Sequence, residues 1–193
     1  AGYIERQWRE QNYVVSRQTY RVGEVECANL EVTIPGKTKS NEIVIVGAHY
    51  DSVEGAPGAN DNASGVAAML EISRKFTAIP SDRTVRFVAF VNEEPPYFET
   101  ELMGSRVYAK ACRQRGDDIR AMLCLETLGC YSNEPGSQKF PSPLFKLLYP
   151  SRGNFVAFVS DYRSRTLLRE TVAAFRGNSK FPAECIAMFP RVA

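Results

Sequence analysis

Short apolar runs of strand length, alternating with segments of helical period, constrain this chain more than any other feature. The run Val85-Arg86-Phe87-Val88-Ala89-Phe90-Val91 carries apolar groups on both alternating faces. A strand of that kind needs cover on both sides, as in a sheet with helices above and below. Comparable runs occur at Ile43 to Val46, Met122 to Leu125 and Phe155 to Val159. Between the first two, Val66, Met69, Leu70 and Phe76 fall on one helical face. Val107, Tyr108 and Ala111 mark a second helix with Gly104-Ser105 near its start, and Leu167, Leu168, Thr171, Val172 and Phe175 mark a third. This alternation predicts an α/β three-layer sandwich, a mostly parallel central sheet flanked by helices. Upstream, Tyr3, Ile4 and Trp8 have helical spacing, and Val14 to Val22 and Val25 to Ile34 read as paired strands closed by Pro35-Gly36.

With 193 residues and 44% hydrophobic content, the chain can bury a core without disulfides or structural metal, and residues 1–193 read as a single domain. Its Lys and Arg are spread along the whole length rather than gathered on one face, which argues against a nucleic-acid partner. The pair Arg163 and Arg165 reads as a solvated helix start. No apolar run approaches the ~18–20 residues that a membrane span needs. The cysteines Cys27, Cys112, Cys124, Cys130 and Cys185 lack the spacing of a zinc ribbon or redox motif, and Cys124, within an apolar run, reads as a small buried hydrophobe. Residues Asn133 to Asn154 are rich in Pro, Gly and Ser and read as a long excursion.

The chemistry gathers where strands end. In open α/β sheets, ligands bind in the crevice outside the carboxyl ends of the strands. The run ending at Val46 leads to His49 and Asp51, the run ending at Val91 to Glu93 and Glu94, and the run ending at Leu125 to Glu126. A loop with Gly55, Pro57 and Gly58 sets Asp61 just before a helix expected to begin near Ala63. Taken singly, His49 is an ordinary structural histidine, Asp61 an N-cap, and Glu94 and Glu126 solvated strand-end charges. Recurrence at one edge changes that reading. Clustered carboxylates repel unless a cation joins them, and imidazole with carboxylate oxygen suits zinc. His49, Asp61, Glu94 and Glu126 are therefore the candidate metal ligands. Ser64 lacks the context of a nucleophile elbow, and the chain's one histidine leaves no base for a serine triad. Asp161 follows a strand but precedes a helix and reads as a cap. Tyr97 and Phe98, after Pro95-Pro96, either line a side-chain pocket or pack as ordinary loop residues.

The segments His49-Tyr50-Asp51-Ser52, Gly58-Ala59-Asn60-Asp61-Asn62-Ala63-Ser64-Gly65, Asn92-Glu93-Glu94 and Glu126-Thr127-Leu128-Gly129 strongly resemble the co-catalytic zinc aminopeptidases of metallopeptidase family 28. The resemblance runs from about Glu42 to Gly177 in order and spacing. It implies two zinc ions, with Asp61 bridging them, His49 and Glu126 completing one site, and Glu94 binding at the other. It also implies that Glu93 is the general base and that Asp51 holds the His49 imidazole. A cis peptide between Asp61 and Asn62 is expected. The implied substrate is a peptide or N-terminal amino-acid derivative, and the implied setting is secreted or periplasmic.

This sequence departs from the family's pattern in two places. Glu126 stands where relatives more often have aspartate. The family also supplies a late histidine to the second zinc, and this chain has no histidine after His49. Either a C-terminal piece is absent or the protein has lost one metal, and the intact remaining motifs favour the first. The chain alone is then expected to hold zinc incompletely and to be a weak or inactive peptidase. Two other readings stay open, a glutaminyl-cyclase-like single-zinc enzyme and a non-catalytic binding module of the same fold.

Overall fold

The computed structural model describes residues 1–140 and 145–189. The chain divides into two compact units, Ala1–Gly129 and Cys130–Ala193.

The first unit runs α1 (Gly2–Glu10), β1 (Ser16–Val22), β2 (Val25–Ile34), β3 (Lys39–His49), α2 (Gly65–Phe76), β4 (Arg83–Phe90), α3 (Gly104–Arg115) and β5 (Asp118–Cys124). Its five strands form one sheet in the order β1-β2-β4-β3-β5. β3 runs parallel to β4 and β5, whereas β2 is antiparallel to β4 and to β1. The sheet is therefore mixed rather than mostly parallel. Residues 35–38 between β2 and β3 are too few for a helical crossover, so the chain reverses direction there.

The apolar runs divide their side chains between two faces, as strands with period two must. Val46, Ala48, Val85, Phe87 and Ala89 pack with Ile4, Trp8, Val66, Met69 and Leu70 of α1 and α2. On the other face Ile43, Ile45, Val88 and Phe90 meet Tyr108 and Cys112 of α3. Trp8 is fully buried, and its indole N–H donates to Ser73 Oγ at 3.1 Å. Gly104 and Ser105 do open α3. α2 begins at Gly65, two residues later than expected, because an irregular helical turn over Ala59–Ser64 precedes it. The expected β1 begins only at Ser16, and Val14 is 87% exposed. Cys124 is exposed and not a buried hydrophobe, since β5 is the sheet's edge and pairs with β3 alone.

The second unit contains α4 (Phe145–Leu148), β6 (Val156–Asp161), α5 (Arg165–Asn178) and β7 (Ala183–Met188). β6 and β7 form a separate two-stranded parallel sheet joined through α5, with Phe158 and Phe175 edge to face at 5.2 Å. The run at Phe155 to Val159 is thus a strand, but it does not join the five-stranded sheet. Asp161 is not the helix cap its position suggested: Ser164 is the N-cap of α5, and Asp161, the last residue of β6, instead braces the turn before it by accepting the Ser164 N–H at 2.7 Å. The excursion from Asn133 to Asn154 carries α4, and its residues 141–144 lie outside the described residues.

Candidate metal centre

His49 is the last residue of β3 and sits in register with Phe90, the last residue of β4. Glu93 and Glu94 follow β4 directly. Glu126 follows β5, whose pairing continues one step further through the Leu125 N–H on Gly47 O at 2.8 Å. Three strand ends therefore finish level with one another, and their polar residues converge. His49 Nε2 lies 3.0 Å from Asp61 Oδ1, 3.3 Å from Glu126 Oε2 and 3.7 Å from Glu93 Oε2. The imidazole is 3% exposed, whereas Asp61 and Glu126 are 56% and 44% exposed. The carboxylates face the opening and the ring forms the floor.

The other ring nitrogen is held from behind. Nδ1 lies 3.2 Å from the Asp51 carbonyl oxygen and 3.5 Å from Asp51 Oδ1. Two acceptors there favour a proton on Nδ1, so Nε2 is the nitrogen that faces the carboxylates: it donates to them while the ring is charged and offers its lone pair to a cation that displaces that proton. Asp51 Oδ2 accepts the Glu94 N–H at 3.0 Å, so one side chain ties the β3 exit to the β4 exit. Asp51 Oδ1 is buried and has no hydrogen-bond partner within the described residues, leaving its charge directed at the ring. Burial opposes the charged form of His49, but Asp51, Glu126 and Glu93 outweigh it and raise the ring to about 9. Burial pushes Glu93 and Glu126 above the usual carboxylate range; His49 pulls both back, while neighbouring acids push them further up.

Within the described residues the only cationic partner in ion-pair range of Asp61, Glu93 or Glu126 is His49 itself. Acids this close, with no Lys or Arg among them, need a cation to remain ionised together. Ligand atoms of His49, Asp61 and Glu126 lie within 4.8 Å of one another, as do those of His49, Glu93 and Glu94. Both groups use the chain's one histidine, so they are not two independent sites. One imidazole nitrogen with carboxylate oxygens is a donor set that fits zinc.

The loops that carry the acids are tightly determined. Gly58 is left-handed at φ 63, and its carbonyl accepts the Ala63 N–H at 2.9 Å, closing the turn that presents Asp61. Asp61 and Asn62 depart from helical torsions (φ −107, ψ 99 and φ −130, ψ 38), and the bond joining them is cis, as expected. Asn92 and Thr127, next to Glu93 and Glu126, both have positive φ, 58 and 46. Asn tolerates that region, but a β-branched Thr does not, so something must hold Thr127. Asn62 does: its Oδ1 accepts the Thr127 N–H at 3.2 Å. Sequence reasoning gave Asn62 no role, although an amide directly after a candidate ligand, in a glycine-bounded loop, was a signal. Tyr97 and Phe98 form a turn with hydrogen bonds local to 94–100, and Phe98 is half exposed.

A mixed α/β sheet with helices on both faces, and one imidazole ringed by acids at its strand ends, defines the class of α/β proteins with a cation centre outside the strand carboxyl ends. The sequence profile described as peptidase family M28 matches residues 29–166, and the chain belongs to that family. It is 39% identical over 140 residues to the uncharacterised protein YfbL of Escherichia coli (strain K12), covering 68% of this chain and 42% of that one. It is 53% identical over 60 residues to aminopeptidase YwaD of Bacillus subtilis (strain 168), covering 31% of this chain and 13% of that one. Among solved structures, LapB from Legionella pneumophila superposes with a TM-score of 0.71 at 21% identity, covering 97% of this chain and 46% of that one. The zinc aminopeptidase BSAP from Bacillus subtilis gives 0.51 at 35% identity, covering 60% of this chain and 28% of that one. A glutaminyl cyclase from an Acidobacteriales bacterium gives 0.64 at 19% identity, covering 96% and 62%. The chain thus spans less than half the length of the curated relatives it matches.

Proposed function

We propose that this protein is a zinc-dependent exopeptidase that removes residues from peptide N-termini. The observation that carries the reading is the meeting of His49 Nε2 with Asp61, Glu126 and Glu93 at one edge of the sheet. The 53% and 35% identical stretches shared with proteins named aminopeptidases support it. His49, Asp61 and Glu126 would hold a zinc ion, and Glu94 extends the acidic set on the Glu93 side. Zinc bound there supplies Lewis acidity, polarising a scissile carbonyl and making a nearby water easier to deprotonate. Glu93 serves as the base: its Oε2 lies at the margin of the donor set, placed to take that proton and pass it to the departing amine. Burial raises the Glu93 carboxyl, which improves it as a proton acceptor. Asp51 orients the imidazole by holding Nδ1.

Were a second zinc ion also held, Glu94 would bind it and Asp61 would be the residue that both ions draw on. Both ligand groups depend on His49, so we expect fewer than two tightly held ions per chain. The cyclase likeness, at 19% identity, concerns the fold alone and does not displace this reading.

Metal content by mass spectrometry, with hydrolysis of aminoacyl nitroanilides, tests the proposal. Glu93→Gln should keep its zinc and lose about 10²–10⁴-fold in turnover. Protein that takes up no zinc, or a Glu93→Gln variant as fast as the parent, would defeat it. Faster conversion of N-terminal glutamine peptides than of free-amine substrates would favour the cyclase instead.

A further inference from the structure

The amide of Asn62 is 1% exposed and uses all of its hydrogen-bonding capacity. Nδ2 donates to Leu125 O at 2.9 Å and to Glu126 Oε2 at 3.0 Å. Oδ1 accepts from Gly65 N at 3.0 Å and from Thr127 N at 3.2 Å. A carbonyl and an ionised carboxylate only accept, and two backbone N–H groups only donate. The amide therefore fits in one orientation, and the flipped alternative would break all four bonds. One planar group links the start of α2, the chain leaving β5 and one oxygen of Glu126.

We propose that Asn62 is a positioning residue for the cation centre, selecting the Glu126 rotamer that faces His49 and Asp61 before the ion arrives. The inference rests on the zinc reading above. Glu126 is 44% exposed at a strand end, and its three side-chain torsions leave several staggered settings open to a carboxylate that reaches toward solvent. The Asn62 donor selects among them. Its acceptor side holds Thr127 at positive φ, which fixes the backbone from which Glu126 projects. Rotamer and backbone are set by the two ends of one amide. A ligand fixed in advance loses less freedom on binding and so binds more tightly. Two neighbouring side chains complete the clamp: Ser64 Oγ accepts the Leu128 N–H at 2.8 Å and Asn60 Oδ1 accepts the Gly129 N–H at 2.9 Å. Neither touches a candidate ligand in this network. Asn62 alone couples the clamp to the carboxylate.

Asn62→Asp separates the two ends of the amide. It keeps the shape and an oxygen for Gly65 and Thr127, and it replaces the donor with an oxygen facing Glu126. Zinc affinity is read by competition with a chromophoric chelator, alongside melting of the metal-free protein in EDTA. We expect about 10–100-fold weaker zinc binding. In a Glu126→Gln background the same change should cost no more than about 3-fold, because little of the Glu126 contribution is left to lose. If Asn62→Asp does not fold alone, the double variant serves, since its glutamine amide restores a donor between the two side chains. It should then match Glu126→Gln in zinc affinity. Unchanged affinity in Asn62→Asp, or an equal loss in both backgrounds, overturns the proposal and leaves the zinc reading standing. Wild-type protein that binds no zinc overturns both.

Discussion

Asp117 shows how much a single side chain can hold. Its Oδ2 accepts from Arg86 Nη1 at 2.6 Å and Arg115 Nη2 at 2.7 Å, and the Asp117 and Arg86 side chains are only 12% and 14% exposed. The Arg86 bond, with that of Arg115, outweighs burial and holds the carboxyl down at about 2 against an ordinary 3.8. A lowered carboxyl pKa means that the folded state resists protonation more than the unfolded chain does. The stabilisation is therefore complete above about pH 4–5 and is lost as pH falls through about 2. Asp117→Asn should cost about 2 kcal/mol at pH 7, and the cost should shrink steadily as the pH is lowered toward 2. Urea unfolding of parent and variant across that range measures it, and a cost independent of pH would contradict the assignment. None of this was legible in the sequence, where Asp117 is one acid among 22 Asp and Glu. His49, Asp61, Glu93 and Glu126 were legible because each follows a strand or a glycine-rich turn. Asn62 was not given a role, because what an amide bonds depends on contacts across more than sixty positions of chain.

Elements were legible where burial imposes a period. Val85, Phe87 and Ala89 enter one cluster and Val88 and Phe90 the other, which is why β4 could be recognised without its neighbours. Strand direction carries no such period. β2 was legible as a strand, but its antiparallel place beside β4 and the separate β6–β7 pairing were missed, because apolar patterning says that a strand is covered and not which strand lies beside it. The junction of β4 with α3 shows the precision that pairing demands. Gly104 N donates to Val91 O at 2.8 Å, while the buried Asn29 accepts the Val91 N–H and donates to Gly104 O. A Cβ on Gly104 would stand 2.2 Å from Val91 O and 2.5 Å from Asn29 Oδ1. Gly104→Ala should destabilise by about 1–3 kcal/mol through forced displacement of that junction. Gly177 in α5 is the counterexample, with nothing within 4 Å of its would-be Cβ. Gly177→Ala should stabilise by up to about 1 kcal/mol through helix propensity. Denaturant midpoints of the two variants should move in opposite directions, and a shared sign would refute the contact argument.

At the scale of the whole molecule, the candidate ligands come from separate stretches of chain, all within Ala1–Gly129. A cation held by His49, Asp61 and Glu126 would cross-link the β3 exit, the turn before α2 and the β5 exit. Binding to the folded state alone stabilises it by mass action, about 2.7 kcal/mol at a free concentration one hundred times Kd. For a unit of this size that corresponds to a rise on the order of 10 °C in melting temperature. The five thiols, all unpaired in the fold, would bind some zinc once unfolded and keep the rise below that ceiling. Trp8 makes the measurement specific. It is the chain's one tryptophan and is fully buried against α2, so its fluorescence follows the unfolding of Ala1–Gly129. Trp8-detected melting should climb with the logarithm of free zinc and return to its starting value in EDTA. His49→Gln removes the shared imidazole and should flatten that dependence. If the variant climbs as steeply as the parent, zinc is held elsewhere and the strand ends carry no cation.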